Sequence, residues 1–300
     1  MARASPGVFR ALSPARLAFL ALVVGGGLIA LSPILVRLSE VGPTVTAFWR
    51  AALALPLLAL VAAAGRRSAP VPTAVDRWRL ALAGIFFAGD LVFWHWSIQF
   101  TSVANATLFA NFNPFFVAIG ALLLFSEPIA LWFVTGMVLA FAGAACLLGD
   151  SVAVGGDVVF GDALGVATAA CWAGYFLFVR SLRARLGTTA VMLWSTLATA
   201  IVVLPIAVLS GEDFLPRSVT GWSVLIGLAV LSHALGQGLI AYALAHLPAG
   251  FSALSLLIEP VLAALFAWVW LGERLGALQW VGGAIILAGI AVAARSNRAP

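Results

Sequence analysis

The chain has 300 residues, of which 63% are hydrophobic and only 9% carry a charge. Soluble domains average about 25% charged residues, so this composition excludes a water-soluble globular fold and indicates a lipid environment. The net charge of +5 comes from Arg residues that lie between apolar segments, and this distribution argues against a nucleic-acid-binding surface.

Ten segments are long and apolar enough to cross a bilayer. A membrane-spanning helix needs about 20 apolar residues, and in lipid the backbone is satisfied only within helices or closed barrels. The sequence lacks the alternating pattern of a barrel, so we predict an all-α integral membrane protein with ten transmembrane helices. The predicted spans, numbered 1 to 10 in chain order, are 17–36, 44–64, 80–99, 103–125, 129–148, 161–179, 189–209, 220–244, 249–271 and 276–294.

The first span is about 20 residues long, whereas the apolar region of a cleavable signal peptide has roughly 7–15. We therefore expect it to remain in the mature protein.

The placement of Arg predicts the orientation, because Arg favours the cytoplasmic side. With the N-terminus inside, most Arg residues fall in inner segments and most acidic residues in outer ones. We therefore predict a multi-pass protein of a bacterial-type inner membrane with both termini in the cytoplasm. The inner residues are Arg3, Arg10, Arg16, Arg66, Arg67, Arg77, Arg79, Arg180, Arg183, Arg185, Arg295 and Arg298, and the outer ones are Arg37, Arg217, Arg274, Glu40, Asp150, Asp157, Asp162, Glu212 and Asp213.

The two halves of the chain resemble each other. At a shift of 146 residues no gap is needed from Ser97 to Ala145, and Pro, Glu and Gly residues then coincide. The matching pairs are Pro114 with Pro260, Glu127 with Glu273, Gly136 with Gly282, and Gly143 with Gly289. Matches at these residue types are rarer in a membrane protein than matches at Ala or Leu, so we predict an internal repeat.

Each repeat holds five helices, an odd number, so the second copy must cross the membrane in the opposite orientation. We predict a cytoplasmic tail at 1–16, a first five-helix repeat at 17–149, a second, inverted repeat at 150–294, and a cytoplasmic tail at 295–300. Inverted repeats place a binding site near the bilayer midplane, and their relative motion gives alternating access. This architecture favours a transporter.

Two matching tracts carry a family resemblance. They run from Thr101 and Ser102 through Pro114 to Ser126, Glu127 and Pro128, and from Ala249 and Gly250 through Glu259 and Pro260 to Leu271, Gly272, Glu273 and Arg274. The pattern resembles the drug/metabolite transporter superfamily and, within it, the EamA-type ten-helix branch. Where this family usually has Gly-Glu, the first copy reads Ser126 and Glu127, so Glu127 is expected to be a structural helix end.

The resemblance implies a secondary transporter with a central cavity lined by spans 1, 3, 4, 6, 8 and 9. It implies export of amino acids, including aromatic ones, as the leading function. Export of cationic drugs, sugars or nucleotides remains an alternative. The expected partners are a small-molecule substrate and the bilayer, with no nucleic acid, and a monomer is favoured. For the driving force, proton exchange at Glu259 or Asp90 and simple facilitated diffusion are the two alternatives.

Glu259 is the first candidate site residue, because an ionisable side chain near mid-membrane costs at least about 2.5–3.5 kcal/mol by insertion scales. Ser252 and Ser255 precede it on the same helical face. Pro260 frees the carbonyl of Leu256. The alternative is a protonated Glu held by hydrogen bonds.

The matching proline in span 4 frees another carbonyl. Pro114 releases the carbonyl of Ala110, beside Asn111 and Asn113. The repeat therefore predicts that Asn113 faces Glu259, with Pro114 and Pro260 as helix kinks.

Asp90 lies midway in span 3 and is the second ionisable candidate, for proton coupling or cation contact. Trp94 shares its face, and His95 lies elsewhere on the same helix. The alternative is a salt bridge from Asp90 to Arg50. Arg50, placed early in span 2, is interpreted either as a clamp for a substrate carboxylate or as a side chain that reaches the interface.

Span 8 carries His233 and Gln237 one turn apart, and His233 aligns with Phe87 of span 3. These side chains are expected to face the same central space, although a lone His in a helix is more often structural. Five aromatic residues lie deep enough to line a pocket by stacking or cation–π contact, the alternative being packing or lipid contact. They are Trp94, Trp96, Trp172, Tyr175 and Tyr242.

An enzyme is not expected. The sequence has no Gly-x-Ser-x-Gly turn, no His-Glu-x-x-His helix and no Walker loop. Its two cysteines, Cys146 and Cys171, lack metal-ligand spacing, so no metal and no cofactor are predicted. A membrane-embedded enzyme and a channel remain alternatives of another class.

Overall fold

The computed structural model of the protein describes residues 13–65, 70–101, 103–148, 158–271 and 276–295. In these ranges the regular structure is helical. The helices are α1 Pro14–Ile29, α2 Ser32–Arg37, α3 Pro43–Ala52, α4 Ala54–Ala64, α5 Ala74–Phe100, α6 Val103–Ala110, α7 Asn113–Phe125, α8 Leu131–Leu148, α9 Val158–Arg183, α10 Thr188–Leu209, α11 Val219–Gly227, α12 Gly238–Ala243, α13 Ala249–Ser255, α14 Ile258–Leu271 and α15 Ala277–Ala293, with a π-helical segment at Leu228–Gln237 between α11 and α12.

These helices form the ten predicted spans. Spans 1, 2, 4 and 9 are each two consecutive α-helices (α1–α2, α3–α4, α6–α7 and α13–α14), and span 8 is α11, the π segment and α12. In the described ranges, eight helical stretches are long and apolar enough to cross a membrane, and two shorter apolar helices, Leu131–Leu147 and Ala277–Ala293, supply spans 5 and 10. The prediction of an all-α membrane protein is confirmed.

Some positions in the sequence predictions lie outside the described residues. They are Arg3, Arg10, Arg66, Arg67, Ser102, Asp150, Asp157, Gly272, Glu273, Arg274 and Arg298.

Local sequence signals set the span ends. Thr73 begins span 3 with a capping box, in which its hydroxyl accepts from the Asp76 amide and the Asp76 carboxylate accepts from the Thr73 amide. Pro14 and Pro43 occupy first turns of helices, where the missing amide hydrogen costs nothing. Ser126 adopts a left-handed conformation (φ 54°) and ends span 4.

The spans alternate in direction, so their ends form two faces, and non-covalent contacts between spans occur at each face. We call the terminal face the one where span 1 begins and span 10 ends. There, Arg185 of the span 6–7 connection pairs with Asp76 of span 3 at 3.1 Å, and the Arg295 guanidinium lies 5.3 Å from the Trp132 ring centroid. At the opposite face, Thr101 donates to Asp162 at 2.9 Å.

Spans 5 and 10 pack backbone to backbone through paired glycines. A Cβ on Gly136 would lie 2.5 Å from the Gly289 carbonyl oxygen, and a Cβ on Gly143 would lie 2.7 Å from the Gly282 carbonyl oxygen. The lower-numbered glycine of span 5 thus meets the higher-numbered glycine of span 10, so the two helices are antiparallel. Because these four glycines are also repeat partners, the two repeats are inverted relative to each other.

Spans 4 and 9 are both interrupted near their middle. Span 4 breaks between Ala110 and Asn113, and span 9 breaks between Ser255 and Ile258. A shift of 146 residues carries Asn113 to Glu259, next to the second break. Discontinuous helices at matching positions of inverted repeats are a known feature of transporter binding sites.

Candidate functional site

Arg50 lies in the protein interior with its side chain only 7% exposed. Helix α3 begins at Pro43, so Arg50 lies about 10 Å along the helix axis from that end. Its guanidinium lies 5.7 Å from the centroid of the Phe87 ring, an arrangement typical of a cation–π contact. The interpretation that Arg50 reaches the membrane interface is therefore wrong.

Two carboxylates share this interior with Arg50. Asp90 of span 3 and Glu259 of span 9 are each half-buried, and the positive charge of Arg50 acts electrostatically on both. Among the described residues, no carboxylate lies within 4.0 Å of the guanidinium, so the alternative of an Arg50–Asp90 salt bridge is not realised. The Nε atom of Arg50 is buried without a hydrogen-bond partner.

Span 8 adds two buried polar residues to the same region. His233 Nε2 lies 2.8 Å from the Thr196 hydroxyl of span 7, and its ring lies 5.5 Å from Phe87. Gln237 is buried, and its Oε1 has no partner. Both lie on the π-helical segment, and π-helical turns are frequently found at functional sites.

Tyr175 of span 6 completes the wall around Phe87. Its ring lies 4.7 Å from the Phe87 ring, it is almost fully buried, and its hydroxyl is directed at the Met192 sulfur at 3.9 Å. Phe87 therefore lies among Arg50, His233 and Tyr175, and spans 2, 3, 6 and 8 meet there.

The helix breaks satisfy their freed carbonyls locally. The Asn113 side-chain amide donates to the Ala110 carbonyl at 3.2 Å, and the Glu259 backbone amide donates to the Leu256 carbonyl at 2.9 Å. Among the described hydrogen bonds, none joins Asn113 to Glu259, and the Asn113 Nδ2 bond lies within its own span. Asn111 Nδ2 and Asn113 Oδ1 remain buried without partners.

The two serines that precede Glu259 differ in their bonding. Ser252 donates to the Pro248 carbonyl at 2.9 Å, whereas the Ser255 hydroxyl is buried without a partner. Ser255 is therefore the more available of the two for a ligand.

Two further predicted residues, Trp96 and Tyr242, have other surroundings. Trp96 is 48% exposed and shares an outward stripe of span 3 with Trp78 and Ile85, so this tryptophan faces outward rather than toward Phe87. Tyr242 packs on His246 at 5.0 Å near the terminal-face end of span 8.

Three further side chains pack within the helix bundle. Trp172 stacks on Phe176 at 4.6 Å. His95 is buried, with its ring edge-on to Trp94 at 5.1 Å.

A second polar site, not predicted from the sequence, lies at the terminal face. A cavity of about 500 Å³ there is lined by Glu127, Arg180 and His246, among others. The Arg180 and Glu127 side chains approach to 3.5 Å, and Glu127 also accepts from the Ala249 amide at 2.9 Å. The expectation that Glu127 is a helix end is incomplete, because its carboxylate joins spans 4, 6 and 9.

The opposite face carries two carboxylates that accept hydrogen bonds from backbone amides of another connection. Glu40 accepts from the amides of Arg217 and Ser218 and from the Ser218 hydroxyl. These bonds, that to the hydroxyl above all, lower the pKa of Glu40 below its ordinary value. Glu212 accepts from the amides of Thr44 and Val45 at 3.2 and 2.8 Å. The connections before spans 2 and 8 therefore cap each other's helices.

Within the described ranges, no group of three or more His, Cys, Asp or Glu side chains could hold a metal ion. We call the region around Phe87 the central site. It holds charged, polar and aromatic side chains from several spans, namely Arg50, Asp90, Glu259, His233, Gln237 and Tyr175. Together with the inverted repeats and paired helix breaks, it defines a multi-pass membrane transporter by architecture.

Comparison with known proteins agrees with this class. The EamA-like transporter family model matches the chain twice, over residues 9–149 and 159–295. The protein belongs to the EamA-like transporter family, which confirms the sequence resemblance. Members of this family are transporters, so the prediction that the chain is not an enzyme is also confirmed.

Several relatives are named as exporters. The chain is 30% identical to the "Probable terminal-alkyne amino-acid exporter" of Streptantibioticus cattleyicolor, over 79% of this chain and 80% of the relative. It is 32% identical to the threonine/homoserine exporter RhtA of Escherichia coli, over 71% and 70%. It is 26% identical to the pseudopaline exporter CntI of Pseudomonas aeruginosa, over 73% and 75%.

A solved crystal structure matches with a TM-score of 0.80 and 21% identity, over 95% of this chain and 98% of the other. At this identity the match supports the fold alone.

Proposed function

We propose that the protein exports small amino acids across the cytoplasmic membrane by alternating access, with Arg50, Asp90 and Glu259 as the substrate site. One observation carries the proposal. A guanidinium lies buried without a contacting carboxylate, yet two half-buried carboxylates lie within its electrostatic range.

An amino acid carries one contacting partner for each sign of charge in this site. Its carboxylate suits the planar fork of Arg50, and its ammonium suits Asp90 or Glu259. A buried charge without a partner is unfavourable. The desolvation of Arg50 and of the carboxylates is already part of the folded, empty site, so a zwitterion that pairs with both signs binds with a net gain. The unpartnered Gln237 and Ser255 atoms offer further hydrogen bonds.

The names of two relatives support an amino acid as the substrate class. One is named for terminal-alkyne amino acids and the other for threonine and homoserine. Because each covers more than two thirds of this chain, the likeness extends over both repeats.

The proposal includes a direction. In the described ranges most Arg residues lie at the terminal face, which by the positive-inside rule is the cytoplasmic one. Those at the terminal face are Arg16, Arg77, Arg79, Arg180, Arg183, Arg185 and Arg295, and those at the opposite face are Arg37 and Arg217. Both termini are then cytoplasmic, and substrate leaves through the opposite face.

The site also suits proton coupling. Asp90 and Glu259 together carry one more negative charge than Arg50 balances, and in a low-dielectric interior one proton would neutralise that excess. We propose that Asp90 or Glu259 carries this proton in exchange for the amino acid.

The test is counterflow in proteoliposomes. Purified protein is reconstituted with unlabelled L-threonine inside, and uptake of labelled L-threonine is followed, with homoserine, phenylalanine and a lipophilic cation as competitors. Saturable counterflow is expected. Arg50→Gln removes the guanidinium fork that binds the substrate carboxylate. Charged hydrogen bonds contribute about 1.5–3 kcal/mol each, so counterflow should fall about 100-fold.

Arg217→Gln is the matched control. Arg217 is exposed at the opposite face and pairs with Asp213 on the surface at 2.7 Å, so this variant should transport like the wild type. Folded Arg50→Gln protein with unchanged counterflow would contradict the assignment of the site. Absence of competition by any amino acid would contradict the substrate class.

A further inference from the structure

The cavity at the terminal face has the composition of a second amino-acid site. Its volume is about 500 Å³, within the range of small-molecule pockets. Apolar side chains form much of its wall, including Phe133 of span 5 and Phe251 of span 9. Glu127 and Arg180 are its two charged lining residues among the described positions.

These two charges are incompletely satisfied. The Arg180 Nη2 to Glu127 Oε1 distance is 3.5 Å, longer than the 2.7–2.9 Å of a strong charged hydrogen bond. Arg180 Nε and Glu127 Oε1 are both buried without a hydrogen-bond partner. The other Glu127 oxygen accepts from the Ala249 amide, which fixes the carboxylate while leaving Oε1 directed at Arg180.

The Arg180 guanidinium is held in place by an aromatic ring. Its Cζ atom lies 5.7 Å from the centroid of Phe125 at the end of span 4. Each charge thus has a positioning contact outside the cavity in addition to their mutual approach. Such preorganised groups bind a ligand at a lower entropic cost.

We propose that this cavity binds the transported amino acid at the cytoplasmic face before it reaches Arg50. The substrate carboxylate binds Arg180, its ammonium binds Glu127 Oε1, and its side chain lies against Phe133 and Phe251. The proposal rests on the proposed function, because the direction of transport makes this face the one from which substrate arrives.

A simple ionic latch between spans 4 and 6 is the competing explanation. A latch needs a close Arg–Glu contact and is indifferent to the chemistry of the solute. A binding site instead discriminates between solutes that carry a carboxylate and solutes that lack one. Solute discrimination therefore separates the two explanations.

The first experiment is equilibrium binding of labelled L-threonine to purified protein. In Arg50→Gln protein the central site is disabled, and we expect one equivalent of L-threonine to remain bound. Adding Arg180→Gln should weaken this remaining binding at least 10-fold. Adding Arg185→Gln should leave it unchanged, because Arg185 lies at the same face but pairs with Asp76.

The second experiment uses analogues as competitors. L-threoninamide lacks the carboxylate and N-acetyl-L-threonine lacks the ammonium. In Arg50→Gln protein both should compete at least 10-fold more weakly than L-threonine. Arg180→Gln should remove the discrimination against the amide, and Glu127→Gln should remove the discrimination against the acetylated analogue.

The outcomes separate the two proposals. If wild-type protein shows counterflow but Arg50→Gln protein binds no L-threonine, the second site is wrong and the proposed function stands. If L-threonine binding to Arg50→Gln protein is unchanged by adding Arg180→Gln, the second site is likewise wrong and the proposed function stands. If wild-type protein shows neither counterflow nor binding, the proposed function itself fails.

Discussion

Carboxylates at the opposite face and in the centre of the molecule have different surroundings. Glu40 and Glu212 each accept hydrogen bonds from two backbone amides across the connections that precede spans 2 and 8. Asp90 and Glu259, in contrast, lie near a buried guanidinium that neither contacts within 4.0 Å among the described residues. The first pair is fully used by the fold, and the second is left available to a ligand.

The difference separates charges that the fold uses from charges to which we assign a function. A carboxylate that satisfies helix-start amides stabilises the fold wherever it lies. A buried charge without a close partner weakens the fold, so its presence requires another reason. We propose that this reason is a solute that brings the complementary charges.

Removing both central carboxylates should have the largest effect. In the double variant Asp90→Asn and Glu259→Gln, Arg50 becomes an uncompensated charge in the interior. We expect counterflow to be lost and the free energy of unfolding to fall by on the order of 3 kcal/mol, measured by denaturation in detergent micelles.

A third substitution checks the cause of that loss. Adding Arg50→Met removes the isolated charge, so the stability of the triple variant should recover while its counterflow remains absent. A double variant as stable as the wild type would show that the carboxylates do not compensate Arg50.

Arg50→Lys should have a smaller effect than Arg50→Gln. Lysine keeps the charge but loses the planar fork that binds a carboxylate through two hydrogen bonds. We expect the KM for L-threonine to rise about 10-fold with little change in thermal stability. Equal KM values for Arg50→Lys and wild type would mean that Arg50 acts only through its charge, without bidentate contact.

The spans and the breaks in spans 4 and 9 could be predicted from the sequence, because both depend on local features, whereas the breaks in spans 1 and 2 and the π segment of span 8 were not predicted. Apolar length gives the ten helices, and Pro114 and Pro260 mark the interruptions in spans 4 and 9. The glycine pairs that show inversion also appear in the sequence register, as Gly136 and Gly143 with their partners in span 10.

The candidate site was harder to predict from the sequence, because it depends on packing between spans that are distant along the chain. Sequence alone left Arg50 between a clamp, a salt bridge and an interfacial position. Burial against Phe87 excludes the interfacial position, and among the described residues no carboxylate lies within 4.0 Å to form the salt bridge. The clamp stays a prediction. Asn113 was predicted to face Glu259, and that stays a prediction, although the Asn113 side-chain amide also bonds to the Ala110 carbonyl within its own span. The Glu127–Arg180 pair was not predicted, because the spacing of two residues in the sequence does not indicate contact between the end of span 4 and span 6.

Disruption at the opposite face should affect stability rather than transport. Glu212→Gln retains a hydrogen-bond acceptor but loses the charge that favours the start of α3, so we expect a loss of about 1 kcal/mol and normal counterflow. Gly42→Ala is a matched test, since a Cβ at Gly42 would collide with the Glu212 side chain. A strong loss of transport in a stable Glu212→Gln protein would place this connection in the transport cycle.

The smallest predicted effect concerns pH. The folded-state pKa of Glu40 lies below its ordinary value of 4.5 because the Ser218 hydroxyl and the neighbouring amides bind the ionised form. Its stabilising contribution is therefore complete above about pH 4.5 and is lost as the pH falls through the lower folded-state pKa. The Tm difference between wild type and Glu40→Gln should shrink below pH 4.5, measured by thermal unfolding in detergent from pH 7 to pH 3. A difference that stays constant over this range would mean that the charge of Glu40 does not stabilise the connection, and its bonds would then act as neutral hydrogen bonds only.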